Sequence, residues 1–89
     1  MIEKIIHSYV NQLTKEDITT FANKNNIILS NDEVNLIYNE IKKNWRELLY
    51  NPTPIFNRIK SQVSPSTYQN IIYFYELYSK KLHLLSNFH

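Results

Sequence analysis

Glycine is absent from this 89-residue chain, and so is cysteine. Only a residue without Cβ lets a backbone come close to a phosphate, so the missing glycines exclude the common nucleotide-binding loops. Without cysteine the chain can form no disulfide and perform no thiol chemistry. It also lacks a signal-peptide pattern and any apolar run near the roughly 20 residues that a membrane span needs. We therefore expect a cytoplasmic protein with no membrane partner.

The composition that remains predicts a single globular domain over residues 1–89. Hydrophobic residues make up 43% of the chain and charged residues 20%, which is typical of folded proteins. So short a chain cannot close two cores. Apolar residues recur at helical spacing, and no segment alternates as a strand does. We predict an all-α fold, a compact bundle of about five helices with the long C-terminal helix at its centre.

Capping signals set the predicted helix boundaries. Thr14 with Asp17 and Ser30 with Glu33 have the spacing of a capping box, and Ser64-Pro65 supplies an N-cap and a proline at the first helical position. Asparagines 25 and 26 suit a left-handed helix end. Residues 27–29 are expected to be an extended connector whose side chains fill the core. The predicted helices cover about 2–13, 14–24, 30–50, 54–63 and 64–86.

The fifth predicted helix has more apolar residues than one face requires. Tyr68, Ile71, Tyr75, Tyr78, Leu82 and Leu85 form one seam at steps of three and four. A helix that is apolar nearly all round is usually buried from several directions, and the seam then forms the centre of the core. Alternatively, one flank stays uncovered and binds a partner or a second copy. The residues off the seam that we assign to such a partner-binding surface are Phe74, Leu77, Leu84 and Phe88.

Charge divides the chain into an acidic and a basic part. Residues 1–40 carry a net charge of −3 and residues 41–89 a net charge of +5. Basic residues that converge on one face would suit nucleic acid or an acidic partner. The helix dipole alone also favours acids in first turns and bases in last turns, so both interpretations stay open. The candidate basic patch consists of Lys42, Lys43, Arg46, Arg58, Lys60, Lys80 and Lys81.

Few residues in the sequence are candidates for catalysis or metal binding. The histidines, His7, His83 and His89, are isolated from one another, so no pair has the spacing of a helical zinc site. The adjacent carboxylates Glu16-Asp17 and Asp32-Glu33 fall in helix first turns, where capping and the dipole explain them. We expect no catalytic residues, no metal, no cofactor and no small-molecule substrate. The sequence favours a non-enzymatic binding module for a protein partner or a second copy, with nucleic-acid binding as the alternative.

Two blocks of the chain resemble a known family. They are LTKEDITTFANKNNIILSNDEVNLIYNEIK, residues 13–42, and KSQVSPSTYQNIIYFY, residues 60–75. Their shared pattern is a threonine-opened helix with an inner Ala22, an isoleucine-rich connector, a third helix and a later Ser-Pro-x-Thr helix start. This pattern is similar to that of the YqfT-like family of small bacterial proteins of unknown function. The resemblance implies a compact, helical, cytosolic and non-enzymatic protein.

Overall fold

Five helices form the fold in the computed structural model, which describes the backbone of residues 2–86 and the side chains of residues 3–77. Within that backbone range no strand occurs, which confirms the all-α prediction. The number of helices is also as predicted, and their boundaries agree to within three residues. The elements are α1 (Ile2–Gln12), α2 (Lys15–Lys24), α3 (Asn31–Tyr50), α4 (Thr53–Lys60) and α5 (Pro65–Ser86).

The predicted capping signals form as expected. The Thr14 hydroxyl accepts a hydrogen bond from the Asp17 N–H at 3.1 Å, and the Asp17 carboxylate accepts one from the Thr14 N–H at 3.0 Å. Ser30 and Glu33 form the same reciprocal pair at the start of α3. After α2, Asn26 has a φ of 60°, the left-handed conformation that asparagine tolerates better than most residues. Local sequence therefore determines where these helices begin and end.

Helices α3 and α5 are the two that contact all the others. Helix α3 packs against α1, α2 and α4, and α5 packs against α1 and α4. The Tyr75 hydroxyl joins α5 to α3 by donating to the Leu48 carbonyl at 2.8 Å. The rings of Phe21 and Phe74 join α2 to α5. The described half of α5 thus contacts each of the other four helices, and the more extensive packing is that of α3.

The long helix α3 is not regular throughout. Asn44 has a φ of −126° and a ψ of 26°, which interrupts the helix at that point. Its side-chain amide donates to the Glu40 carboxylate at 3.1 Å, one turn earlier. Trp45, the next residue, is buried, with His7 of α1 stacked on its ring. The kink divides α3 into two shorter helical segments.

Three exposed side chains correct the predicted core. Ile5 and Tyr9 belong to the apolar pattern of α1, yet they are 55% and 73% exposed. Ile28 of the connector is 92% exposed, because its neighbours Ile27 and Leu29 face inward and alternate residues of an extended segment face opposite sides. The prediction that the whole connector fills the core was therefore wrong for Ile28. Helical spacing of apolar residues in α1 therefore does not by itself show which of them are buried.

Glu33 is a buried carboxylate that joins two helix starts. One carboxylate oxygen accepts from the Ser30 N–H at 3.1 Å, and the other accepts from the Ser64 N–H at 2.9 Å. Burial raises its pKa, but hydrogen bonds from the Ser64 and Ser30 N–H groups, with a contribution from Thr67, outweigh burial and hold the pKa below its ordinary value of 4.5. Glu33 therefore stays ionised inside the fold and holds the starts of α3 and α5 together.

None of the described helices is both long enough and apolar enough to cross a membrane.

Replacing Glu33 with glutamine should destabilise the fold. The amide keeps the shape but has one acceptor oxygen in place of two, so at least one of the partly buried hydrogen bonds from the Ser30 and Ser64 N–H groups is lost. The expected loss is about 2–3 kcal/mol in the free energy of unfolding, measured by urea denaturation. Glu47→Gln on the exposed side of α3 is the matched control and should change it by less than about 0.5 kcal/mol. Equal losses in both variants would contradict the role of Glu33.

The same carboxylate should make stability depend on acid. Because the folded-state pKa of Glu33 is lower than the ordinary 4.5, its stabilisation is fully present above that ordinary value and is lost as the pH falls through the folded pKa. The free energy of unfolding should therefore fall below about pH 4.5, and it should fall less steeply in Glu33→Gln. Urea denaturation from pH 6 down to pH 3 tests this. Parallel curves for the two proteins would contradict it.

Candidate functional site

An apolar groove of about 350 Å³ lies between α2, α3 and α5. The connector side chains Ile27 and Leu29 contribute to its lining, and the few polar lining residues are Asp17, Thr67 and Asn70. Most of the aliphatic side chains around it are half-buried. The apolar walls are formed chiefly by Ile18, Phe21, Ile37, Ile41, Ile71 and Phe74.

Apolar side chains continue from the groove onto the surface of α5. The rings of Phe21 and Phe74 meet edge to face with centroids 5.2 Å apart, and Tyr73 contacts Phe74 in the same manner at 5.2 Å. Leu77 lies one helical turn beyond Tyr73 and is therefore on the same side of α5. Tyr73 is 61% exposed, and Phe21 and Leu77 are each 39% exposed. We call these four residues the apolar strip.

The strip contains two of the four residues that the sequence assigned to partner binding. Phe74 is half-buried in the groove wall, and Leu77 is exposed beside it. Leu84 and Phe88 lie outside the described side chains. Tyr73 was missed, although its spacing of four residues from Leu77 on a helix was a usable signal. Phe21 was not a predicted site residue, and its ring contact with Phe74 shows its position at the edge of the groove.

Lys42 and Arg46 of the candidate basic patch bind α1. The Lys42 ammonium donates to the carbonyls of Val10 and Asn11 at the end of α1, the latter at 3.1 Å. Arg46 forms an ion pair with Glu3 at 3.3 Å and lies 4.5 Å from the centre of the Trp45 ring. Both side chains therefore hold α1 against α3.

The other described basic residues face different directions. Arg58 of α4 pairs with Glu40 of α3 at 3.1 Å, and position 40 lies about 200° around the helix from position 42. The Lys60 ammonium lies 5.7 Å from the centre of the Tyr68 ring. Lys43 is exposed. The described basic side chains are thus distributed over more than one side of α3, and Lys80 and Lys81 lie outside the described side chains.

Glu3 forms an exposed cluster with the end of α3. Its carboxylate accepts from the Tyr50 hydroxyl at 2.7 Å and from Arg46. These hydrogen bonds, that from Tyr50 first, lower the pKa of Glu3, and the carboxylate in turn raises the pKa of the Tyr50 hydroxyl. The groups are open to solvent, so the cluster is a surface interaction between α1 and α3 that contributes little to stability.

Among the described side chains, no three histidines or carboxylates come together as metal ligands would. No family model, curated protein or solved structure matches the chain. The resemblance to the YqfT-like family therefore stays a prediction.

Neighbouring lysines on α3 should differ in their effect on stability. Lys42→Met removes the donor to the last carbonyls of α1 and keeps most of the aliphatic stem, so we expect a loss of about 1 kcal/mol in the free energy of unfolding. Lys43→Met, which removes the same charge one residue later, should change it by less than about 0.5 kcal/mol. Thermal and urea denaturation of both variants measure the difference. Equal stability of the two variants would contradict a structural role for Lys42.

Proposed function

We propose that this chain is a non-enzymatic protein-interaction module that binds through the apolar strip, in the first instance to a second copy of itself. The observation that carries the proposal is the position of Tyr73 and Leu77, which are exposed next to the ring pair of Phe21 and Phe74. Contiguous exposed apolar surface is uncommon on monomers and typical of interfaces. Tyrosine and phenylalanine are also enriched at interfaces. A cytosolic location belongs to this proposal.

The shape of the strip suits a helical partner. Tyr73 and Leu77 are separated by one turn, so they present a row parallel to the axis of α5. A partner helix could lie along this row with its own apolar face covered. The Tyr73 hydroxyl can stay at the wet edge of such an interface while its ring is buried. In the sequence α5 continues with apolar residues beyond Leu77, which offers a second helix more length to contact.

Nucleic-acid binding takes second place in this proposal. Lys42, Arg46 and Arg58 each bond with another part of the fold, so phosphate contacts would have to compete with these bonds. Phosphate binding releases counterions and weakens steeply as salt rises. We expect no salt-dependent binding to single-stranded or duplex DNA in titrations at about 50 mM and 200 mM salt. Tight DNA binding at low salt that disappears at high salt would make nucleic-acid binding the favoured function in place of protein interaction.

Light scattering after size exclusion tests the homodimer. The wild-type chain should show a mass well above the 10.7 kDa of one copy, and Tyr73→Lys with Leu77→Lys should return it to the monomer because two buried charges would face each other across the interface. Tyr9→Lys, a change at a tyrosine 73% exposed on α1, is the control and should keep the wild-type mass. A wild-type chain that is monomeric at high concentration contradicts the homodimer.

A further inference from the structure

We infer that the groove between α2, α3 and α5 is also a binding site for a small, uncharged, largely apolar molecule with one hydrogen-bonding group. The inference goes beyond the proposed function, because it concerns the interior of the groove, which shares Phe21 and Phe74 with the strip but not Tyr73 or Leu77. Its volume of about 350 Å³ falls in the range of small-molecule sites, about 300–1,000 Å³. Ordinary packing voids in protein cores are seldom larger than a water molecule.

The size of the groove limits what can enter it. A groove of about 350 Å³ has the size of a small-molecule site, whereas a helix with its side chains is about 10–12 Å across and would lie over the strip. The groove is also too apolar to retain water well, since a buried water needs two to four polar partners. A compact apolar molecule fits both limits.

The lining determines the charge of the ligand. Among the described lining residues there is no lysine, arginine or histidine, and Asp17 is the one that carries a charge. An anion in the groove would thus have no counterion among these residues and would lie near a like charge. Of the polar lining groups, Asp17 already accepts from the Thr14 N–H and Thr67 from the Ser64 hydroxyl. The side chain of Asn70 is half-buried and forms no hydrogen bond with a described residue.

Asn70 therefore offers a ligand a donor and an acceptor that no described residue uses. A primary amide can donate to and accept from a hydroxyl group, which makes an aliphatic or aromatic alcohol the simplest ligand of this class. The body of the ligand would replace open space beside Ile37, Ile41 and Ile71. The same body with a carboxylate head group should be rejected for the reason just given. An alcohol and a carboxylic acid with the same hydrocarbon chain therefore test whether the groove prefers a neutral ligand.

Displacement of a neutral fluorophore tests this site. N-phenyl-1-naphthylamine should fluoresce on binding to the full chain, and octan-1-ol should displace it at concentrations about tenfold lower than octanoate at neutral pH. The double variant Tyr73→Lys with Leu77→Lys should behave in the same way, because neither residue is among the described residues that line the groove. This variant separates the inference from the proposed function, because it is the one expected to return the dimer to the monomer. No fluorophore binding, or equal displacement by alcohol and acid, would overturn the inference.

Two substitutions locate the binding in the groove. Ala22→Leu fills the groove from α2 and should weaken fluorophore binding about tenfold or more, whereas Thr20→Leu adds the same side chain on the exposed side of α2 and should leave it unchanged. Asn70→Leu should keep the fluorophore but weaken octan-1-ol about threefold to tenfold. Position 70 is half-buried, so this variant keeps the test available if Ala22→Leu does not fold. Wild-type affinities in the folded variants would overturn the inference.

Discussion

The fold depends on a single buried carboxylate. Glu33 completes the capping box of α3 with Ser30, which is three residues away in the sequence. The same carboxylate accepts a hydrogen bond from the N–H of Ser64, which is 31 residues away. Two helix starts, each with the partial positive charge of its N–H groups, thus converge on one negative charge. This arrangement explains why Glu33 is ionised although it is buried. It also joins the start of α3 to the start of α5, and the Tyr75 hydroxyl joins α5 to the Leu48 carbonyl of α3 further along.

The acidic and basic parts of the chain form ion pairs with each other within the fold. Acidic residues of the first part meet basic residues of the second part in the pairs Glu3–Arg46 and Glu40–Arg58. Lys42 interacts with the carbonyl end of α1, where a cation is favoured by the helix dipole. A basic part and an acidic part of a sequence can therefore be complementary halves of one domain. Among the described residues, the apolar strip and the groove are the features on which we base the proposed binding.

Local signals in the sequence predicted the helices well, and the side-chain environment less well. The capping pairs of Thr14 and Ser30 and the left-handed Asn26 are local, so the sequence shows them directly. The second role of Glu33 and the groove could not be predicted, because they arise from residues far apart in the chain. Exposure of Ile5 and Ile28 also depends on which side the neighbouring helices cover. Of the candidate site, Phe74 and Leu77 were found by periodicity, whereas Phe21 required the ring contact.

The interruption of α3 at Asn44 has a consequence for how this helix can vary. In a regular helix each residue is rotated by a fixed angle from the one before it. The directions of the side chains at the two ends of an unbroken helix of 20 residues therefore depend on each other. At Asn44 the helix is interrupted, so the direction of Ile37 and Ile41, which line the groove, is set separately from that of Trp45, which packs against His7. A single asparagine thus divides α3 into a segment that lines the groove and a segment that holds the Trp45–His7 contact.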